Sequence, residues 1–175
     1  MKILILSFLS IFFFQISCAQ RPTMKRPHCE NEKFDKRVSE LISFTVPVIS
    51  PEQLKDMQDE AIVFDTRELE EFEVSHIEGA KLLGYNKMDK SQLEGIDKDT
   101  PIVVYCSVGY RSEKIGEKLQ KMGYTNVYNL YGSLFEWVNE GNEVVNQKGE
   151  KTKKVHTYNK KWSKWMNEDA GEKVW

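Results

Sequence analysis

One cysteine of this 175-residue chain lies where a buried strand is expected to give way to a helix. Residues 102–105 read I-V-V-Y, an apolar run typical of a short strand covered on both faces. A helical pattern follows at once, with Ile115, Leu119 and Met122 spaced along one face. Cys106 therefore lies at the carboxyl end of a strand, where open α/β folds place their functional sites.

The loop between strand and helix, C-S-V-G-Y-R, is short. A loop of this length curls around its own centre, so its backbone N–H groups point inward and form a cradle for an anion. The helix is expected to begin with Ser112 as its cap and to end at Gly123. The positive end of its dipole and the charge of Arg111 both favour a thiolate at Cys106, which is nucleophilic near neutral pH.

The sequence therefore predicts Cys106 and Arg111 as catalytic residues. The alternative reading of an isolated cysteine is a small buried hydrophobe, which would leave Gly109, Arg111 and the helix start unexplained. The neighbouring backbone N–H groups are predicted to bind the group that the cysteine sulfur carries. They belong to Ser107, Val108, Gly109, Tyr110 and Ser112.

Three stretches of the chain, in this order, resemble the rhodanese family of sulfurtransferases. Residues 64–80 are similar to the family's upstream signature of strand, Asp-x-Arg, acidic helix and His-Ile-x-Gly-Ala. The loop C-S-V-G-Y-R-S matches the family pattern of Cys, four residues, Arg, then Ser or Thr. Residues 130–137 resemble its Gly-Gly…Trp segment, with Ser133 in place of the second glycine. Together these motifs are far more specific than any one alone.

The resemblance implies a single α/β rhodanese-like domain that transfers sulfur through a persulfide on Cys106. The implied donor is thiosulfate, a persulfide or a polysulfide, and the implied acceptor is cyanide or a thiol, including a protein thiol. No metal and no organic cofactor is implied. His76 would belong to a structural turn rather than to a catalytic pair, and Asp65 and Arg67 would brace the fold. Ser107 stands where many family loops have a basic residue, which argues against efficient use of thiosulfate.

Two other classes of function stay open at this stage. A noncatalytic, redox or sulfur-carrier module could keep the same fold and loop. A cysteine-dependent phosphatase is the second alternative, because related folds hold phosphate in a Cys-x5-Arg loop. Here only four residues separate Cys106 from Arg111, and the smaller cradle favours sulfur.

Alternating short strands and helices predict a central parallel sheet with helices on both faces. An amphipathic helix with Phe34, Val38, Leu41 and Ile42 on one face precedes this sheet. The remaining predicted elements are strands at 46–49, 61–64, 102–105 and 126–130, an extended segment at 81–83, and helices that start at Pro51 and span 68–74.

Residues 1–19 are expected to be a secretory signal, because Lys2 is followed by an almost uninterrupted apolar stretch. Either the chain is cleaved after Ala19, or Cys18 receives a lipid that would be the protein's only membrane anchor. The protein is therefore expected to be exported, either to the periplasm or as a membrane-anchored lipoprotein. The other predicted regions are a leader with its helix at 20–43, a rhodanese-like domain at 44–146 and a basic, aromatic extension at 147–175.

The formal net charge of −2 argues against a nucleic-acid partner. Cys29, in the leader, either pairs with Cys106 in a disulfide or is a free, exposed thiol without a role. In the extension, Tyr158, Trp162 and Trp165 recur at helical spacing. This predicts a helix whose aromatic face packs on the domain, with a docking surface for a partner as the alternative.

Overall fold

A computed structural model describes residues 26–57 and 59–175. The predicted signal sequence and the fate of Cys18 lie outside the described residues. Within the described residues, no helix is both long enough and apolar enough to cross a bilayer.

A five-stranded parallel sheet forms the centre of the fold. The strands lie in the order β1-β5-β4-β2-β3, and every neighbouring pair is parallel. Except at the start of α4, the bounds that the sequence predicted agree with these elements to within two residues; α5 was not predicted. In chain order the elements are α1 (Glu32–Leu41), β1 (Val48–Ile49), α2 (Pro51–Met57), β2 (Ile62–Asp65), α3 (Leu69–Val74), β3 (Lys81–Leu82), β4 (Ile102–Tyr105), α4 (Tyr110–Lys121), β5 (Val127–Leu130) and α5 (Ser133–Asn139).

Strand β4 is buried on both faces, as its unbroken apolar sequence predicts. Alternate side chains point to opposite faces of a strand, so β4 contributes to two cores. Ile102 and Val104 pack with Ile115 and Leu119 of α4. Val103 and Tyr105 pack on the other face, with Leu54 of α2 and with Leu134 and Trp137 of α5. The prediction of helices on both faces is confirmed.

The predicted start of α4 is wrong. The helix begins at Tyr110, because Gly109 adopts a left-handed backbone with φ 116° and serves as the N-cap residue. Ser112 is already inside the helix and is fully buried. At the other end, Gly123 has φ 92° and stops the helix as predicted. Met122, expected on the buried face, lies beyond the last helical turn and is exposed.

The C-terminal extension forms small sheets rather than the predicted helix. Tyr158 has φ 64°, which interrupts a right-handed helix, and the Asn159 side chain accepts the N–H groups of Lys161 and Trp162 in a turn. A short 3₁₀ helix covers Ser163–Trp165. In the extension, β7 (Lys151–Thr152) pairs antiparallel with β6 (Val144–Val145), which precedes it, and β8 (Lys154–His156) pairs parallel with β9 (Glu172–Val174).

The aromatic residues of the extension nevertheless pack on the domain. The Trp165 ring stacks on Phe34 of α1 at a centroid distance of 5.7 Å. Trp162 packs against the same cluster, which includes Val38 and Phe135. The predicted contact is therefore present, although the helix that was expected to make it is not.

Asp65 and Arg67 form a fully buried ion pair at the end of β2. Both carboxylate oxygens of Asp65 accept from the guanidinium, and Asp65 Oδ1 also accepts the backbone N–H of Arg67. The guanidinium donates further to the carbonyl of Ser75, after α3. As expected, the pair joins the end of a strand to the following turn.

Removing one charge of this pair should strongly destabilise the protein. In Asp65→Asn, the fully buried Arg67 loses its counter-ion, and breaking a buried pair costs about 3–5 kcal/mol. The matched control is Glu40→Gln, which breaks the exposed Arg37–Glu40 pair of α1 and should cost about 0–1 kcal/mol. Urea unfolding of the two variants measures the difference. Equal losses would show that the buried pair does not carry the expected stability.

Candidate active site

The sulfur of Cys106 lies at the centre of the loop that follows β4. The residue is 1% exposed, and its Sγ accepts the backbone N–H of Gly109 at 3.1 Å. Gly109 can direct its N–H to the sulfur because its left-handed backbone is freely available only to glycine. The loop therefore forms the cradle that its length predicted.

The surroundings of Cys106 favour its thiolate. Burial acts to raise the pKa of the thiol, whereas the positive charge of Arg111 lowers it. Backbone N–H groups lower it further, and these belong to Ser112, Gly109 and Val108. The result is a pKa below that of an ordinary cysteine, so the charge of Arg111 and the N–H hydrogen bonds together outweigh desolvation.

Hydrogen bonds with α5 hold the backbone of the loop in place. Ser133 Oγ accepts the N–H of Cys106 at 3.2 Å and donates to the carbonyl of Leu130. The first N–H groups of the helix, those of Leu134 and Phe135, donate to the carbonyls of Cys106 and Ser107, each at 3.1 Å. The serine that replaces the second glycine of the resembled motif thus contributes a hydrogen bond that glycine could not form.

Asn129 of β5 holds the far side of the loop. Its Nδ2 donates to the carbonyl of Gly109 at 3.0 Å, and its Oδ1 accepts from Ser112 Oγ at 2.7 Å. The Ser112 side chain is therefore used for support, and only its backbone is directed at the sulfur. Sequence reasoning missed Asn129, because a single amide in a strand gives no sign of its tertiary partner.

Arg111 is bound to a carboxylate that the sequence did not single out. Its guanidinium donates to both oxygens of Glu71 in α3, at 2.6 and 2.8 Å, and to Ser107 Oγ at 3.1 Å. Burial acts to raise the pKa of Glu71, but Arg111 lowers it by hydrogen bonding and by charge, and the net pKa is below the usual value. The positive charge that the sequence predicted beside Cys106 therefore belongs to an ion pair.

The sequence identified the acidic helix but could not identify Glu71 within it. Four glutamates occur between Glu68 and Glu73, and spacing alone does not indicate which faces the loop. In the structure, the Glu71 side chain also accepts the N–H of Glu68 and so caps its own helix. That bond and the Arg111 pair fix the carboxylate in place.

His76 does not reach the cysteine loop. Its Nδ1 pairs with the carbonyl of Phe72 at 2.9 Å, its ring stacks on Phe72, and its backbone bridges to Val145. It belongs to a turn, as the resemblance implied. Among residues 26–57 and 59–175, no three or more His, Cys, Asp or Glu side chains are grouped to hold a metal ion.

Cys29 is buried, so the expectation of an exposed thiol is wrong. Neither Cys29 nor Cys106 is in a disulfide. The leader folds onto α5, where Glu136 Oε1 accepts the N–H of Glu30 at 2.6 Å. Burial, and then the negative charges of Glu136 and Asp35, raise the pKa of Cys29 far above its ordinary value. Cys29 therefore stays a thiol under conditions in which Cys106 ionises.

A pocket of about 360 Å³ opens over the loop. The loop supplies part of its lining through Cys106, Ser107, Val108, Tyr110 and Arg111. The other lining residues come from α1, from the segment around α3 and β3, and from the extension. They are Leu41, Glu68, Tyr85, Asn86, Tyr158 and Trp162. The structure thus brings most of the predicted site residues together, and their catalytic roles stay predictions.

Comparison with known proteins agrees with this geometry. The family profile described as Rhodanese-like domain matches residues 50–140. A thiosulfate sulfurtransferase, GlpE, of Actinobacillus succinogenes is 34% identical over 95 residues, which cover 53% of this chain and 85% of that protein. An uncharacterized Bacillus subtilis protein, YqhL, is 33% identical over 89 residues, which cover 51% of this chain and 70% of that protein.

A solved structure shares the fold. The BH2092 protein of Bacillus halodurans superimposes with a TM-score of 0.53 at 23% identity, covering 68% of this chain and 88% of that one. The parallel sheet, the cysteine loop at its carboxyl edge and the match over residues 50–140 lead to one conclusion: the chain belongs to the rhodanese-like domain family.

Proposed function

We propose that this protein is a sulfurtransferase that carries a sulfane sulfur on Cys106. The observation that carries the proposal is the buried Cys106 sulfur, which accepts a backbone N–H and has a lowered pKa beside Arg111. A thiolate held in this way is a nucleophile with a preformed anion cradle around it. The relative named thiosulfate sulfurtransferase supports the same reaction class.

The reaction has two steps that conserve atoms and charge. The Cys106 thiolate attacks the outer sulfur of the donor, a new S–S bond forms, and the donor's own S–S bond breaks. Sulfite leaves if the donor is thiosulfate, and a thiolate leaves if it is a persulfide. An acceptor thiolate then attacks the outer sulfur of the Cys106 persulfide, takes that sulfur and restores the Cys106 thiolate.

The loop fits sulfur better than a phosphate ester. A phosphoryl group needs a wider ring of N–H donors and an arginine free to hold its oxygens. Here four residues separate Cys106 from Arg111, and the Arg111 guanidinium is already bound to both oxygens of Glu71. A persulfide adds only one sulfur atom to Cys106, and that atom does not need an arginine that is free to bind it.

Cys106→Ser should abolish sulfur loading, because a hydroxyl is nearly isosteric but far less nucleophilic. After incubation with an organic persulfide, the intact mass of the wild type should increase by one sulfur, and the variant's mass should not change. Cys29→Ala is the control and should load like the wild type, because the raised pKa of Cys29 keeps it protonated. Loading of Cys106→Ser would contradict the proposed nucleophile.

Arg111→Gln should raise the pKa of Cys106, because the positive charge that lowers it is lost. The rate of Cys106 alkylation by iodoacetamide, measured against pH in a Cys29→Ala background, should have its midpoint at higher pH than in the parent. Lys121→Gln removes the same charge from the far end of α4 and should leave the midpoint unchanged. An equal shift in both variants would mean that the effect comes from net charge and not from Arg111.

We further propose that the protein is exported, as the composition of residues 1–19 predicts. Fractionation of the native host, followed by N-terminal mass analysis, should then find a chain that begins at Cys18 or Gln20. A diacylglyceryl mass on Cys18 would indicate the lipoprotein route, and a start at Gln20 would indicate cleavage after Ala19. A soluble cytosolic protein with Met1 intact would contradict export.

A further inference from the structure

Parts of the chain outside the family match form one wall of the active-site pocket. The match ends at residue 140, whereas Tyr158 and Trp162 of the extension and Leu41 of α1 line the cavity over Cys106. These three side chains are large and mostly apolar. A volume of about 360 Å³ is also in the range of pockets that bind small organic molecules.

The charges around the pocket do not suit an inorganic dianion. Among the described residues that line it, Arg111 carries the only positive charge, and its guanidinium is paired with Glu71. Glu68 adds a carboxylate to the lining, and a thiolate at Cys106 would add a further negative charge. A dianionic donor would therefore meet a site with little net attraction.

Tyr158 is held in position at some cost in backbone energy. Its φ of 64° is uncommon for a bulky residue, and such strain occurs most often at functional sites. Neighbouring bonds fix this conformation: the Tyr158 N–H donates to His156 Nδ1 at 3.2 Å, and the Thr157 N–H donates to the carbonyl of Val174 at 2.7 Å. The Tyr158 ring lies 5.4 Å from the Arg111 guanidinium and is half exposed to the pocket and solvent.

We propose that this wall makes Cys106 selective for low-molecular-weight organic persulfides with an apolar substituent. The substituent contacts Tyr158 and Trp162, and the outer sulfur reaches Cys106. Tyr158 and Trp162 are thus specificity-determining residues, whereas Cys106 performs the chemistry. This assignment rests on the proposed sulfur transfer and names its donor class.

The transfer from such a donor is balanced. The Cys106 thiolate bonds to the outer sulfur of R–S–SH, and the S–S bond of the donor breaks. Its electron pair leaves with the inner sulfur as R–S⁻, which takes up the proton of the outer sulfur. The products are the Cys106 persulfide anion and the thiol R–SH, so no oxidant or reductant is needed.

The test compares two donors that share a CH₂–S–SH unit, phenylmethyl persulfide and cysteine persulfide. We expect the second-order rate of Cys106 loading, followed by intact mass, to be about tenfold higher with the phenylmethyl donor, which corresponds to about 1.4 kcal/mol of binding. Equal rates with the two donors would overturn the proposal.

Tyr158→Asn is the decisive variant, because asparagine tolerates the left-handed backbone and lacks the ring. The rate ratio between the two donors should fall by about fivefold, within what one aromatic contact contributes. The control is Trp175→Ala, which removes an exposed aromatic residue of the same extension outside the pocket and should keep the wild-type ratio. An unchanged ratio in Tyr158→Asn, in a variant with wild-type circular dichroism, would overturn the assignment.

Binding to Cys106→Ser separates this inference from the proposed function. Phenylmethanethiol should bind that variant at least about tenfold more tightly than cysteine in calorimetric titration, and adding Tyr158→Asn should remove the preference. If the wild type gains no sulfur from either donor, sulfur transfer is wrong, and the titration still decides whether the wall binds apolar groups. If the wild type loads normally but neither thiol is preferred, only the wall assignment is wrong.

Discussion

Holding a negative charge on a buried sulfur is the constraint on which the site depends. Burial alone disfavours a thiolate, as Cys29 shows: it is buried beside Glu136 and its pKa is raised far above the ordinary value. Cys106 is buried at least as completely, yet its pKa is lowered, because N–H groups and Arg111 surround it. The two cysteines of the described chain therefore differ in the charges around them and not in their burial.

Keeping those N–H groups aimed at the sulfur requires a rigid loop. A loop whose carbonyls were free to turn inward would cancel its own cradle. Here the carbonyls of Cys106 and Ser107 are bonded to the first turn of α5, and that of Gly109 is bonded to Asn129. The carbonyls point away from the sulfur, and the N–H groups are left to face it. The hydrogen bonds that fix the loop carbonyls thus determine the electrostatic potential at the Cys106 sulfur.

Sequence patterns predicted the structural features that depend on residues close together in the chain. The apolar run of β4, the Cys106 loop and the Gly123 helix stop are local signals, and the structure contains all three. Apart from the start of α4, which follows from the left-handed backbone of Gly109, the errors concern tertiary partners or, in the extension, a local turn. Glu71 was one of several acidic residues on a helix, and its role follows from the approach of Arg111. Likewise, the spacing of Tyr158 and Trp162 suggested a helix, but the turn at Asn159 and the pairing of β8 with β9 oppose it.

Helix α5 connects the loop to the wall of the pocket. The Phe135 N–H donates to the carbonyl of Ser107, while the Phe135 ring packs 6.4 Å from Phe34 of α1. Phe34 in turn stacks on Trp165, which packs against the same cluster as Trp162 of the wall. The backbone that orients the cradle and the aromatic cluster that supports the wall therefore share one helix. Because protein interiors are close-packed, the packing of the extension on α1 and the orientation of the Cys106 loop depend on the same helix.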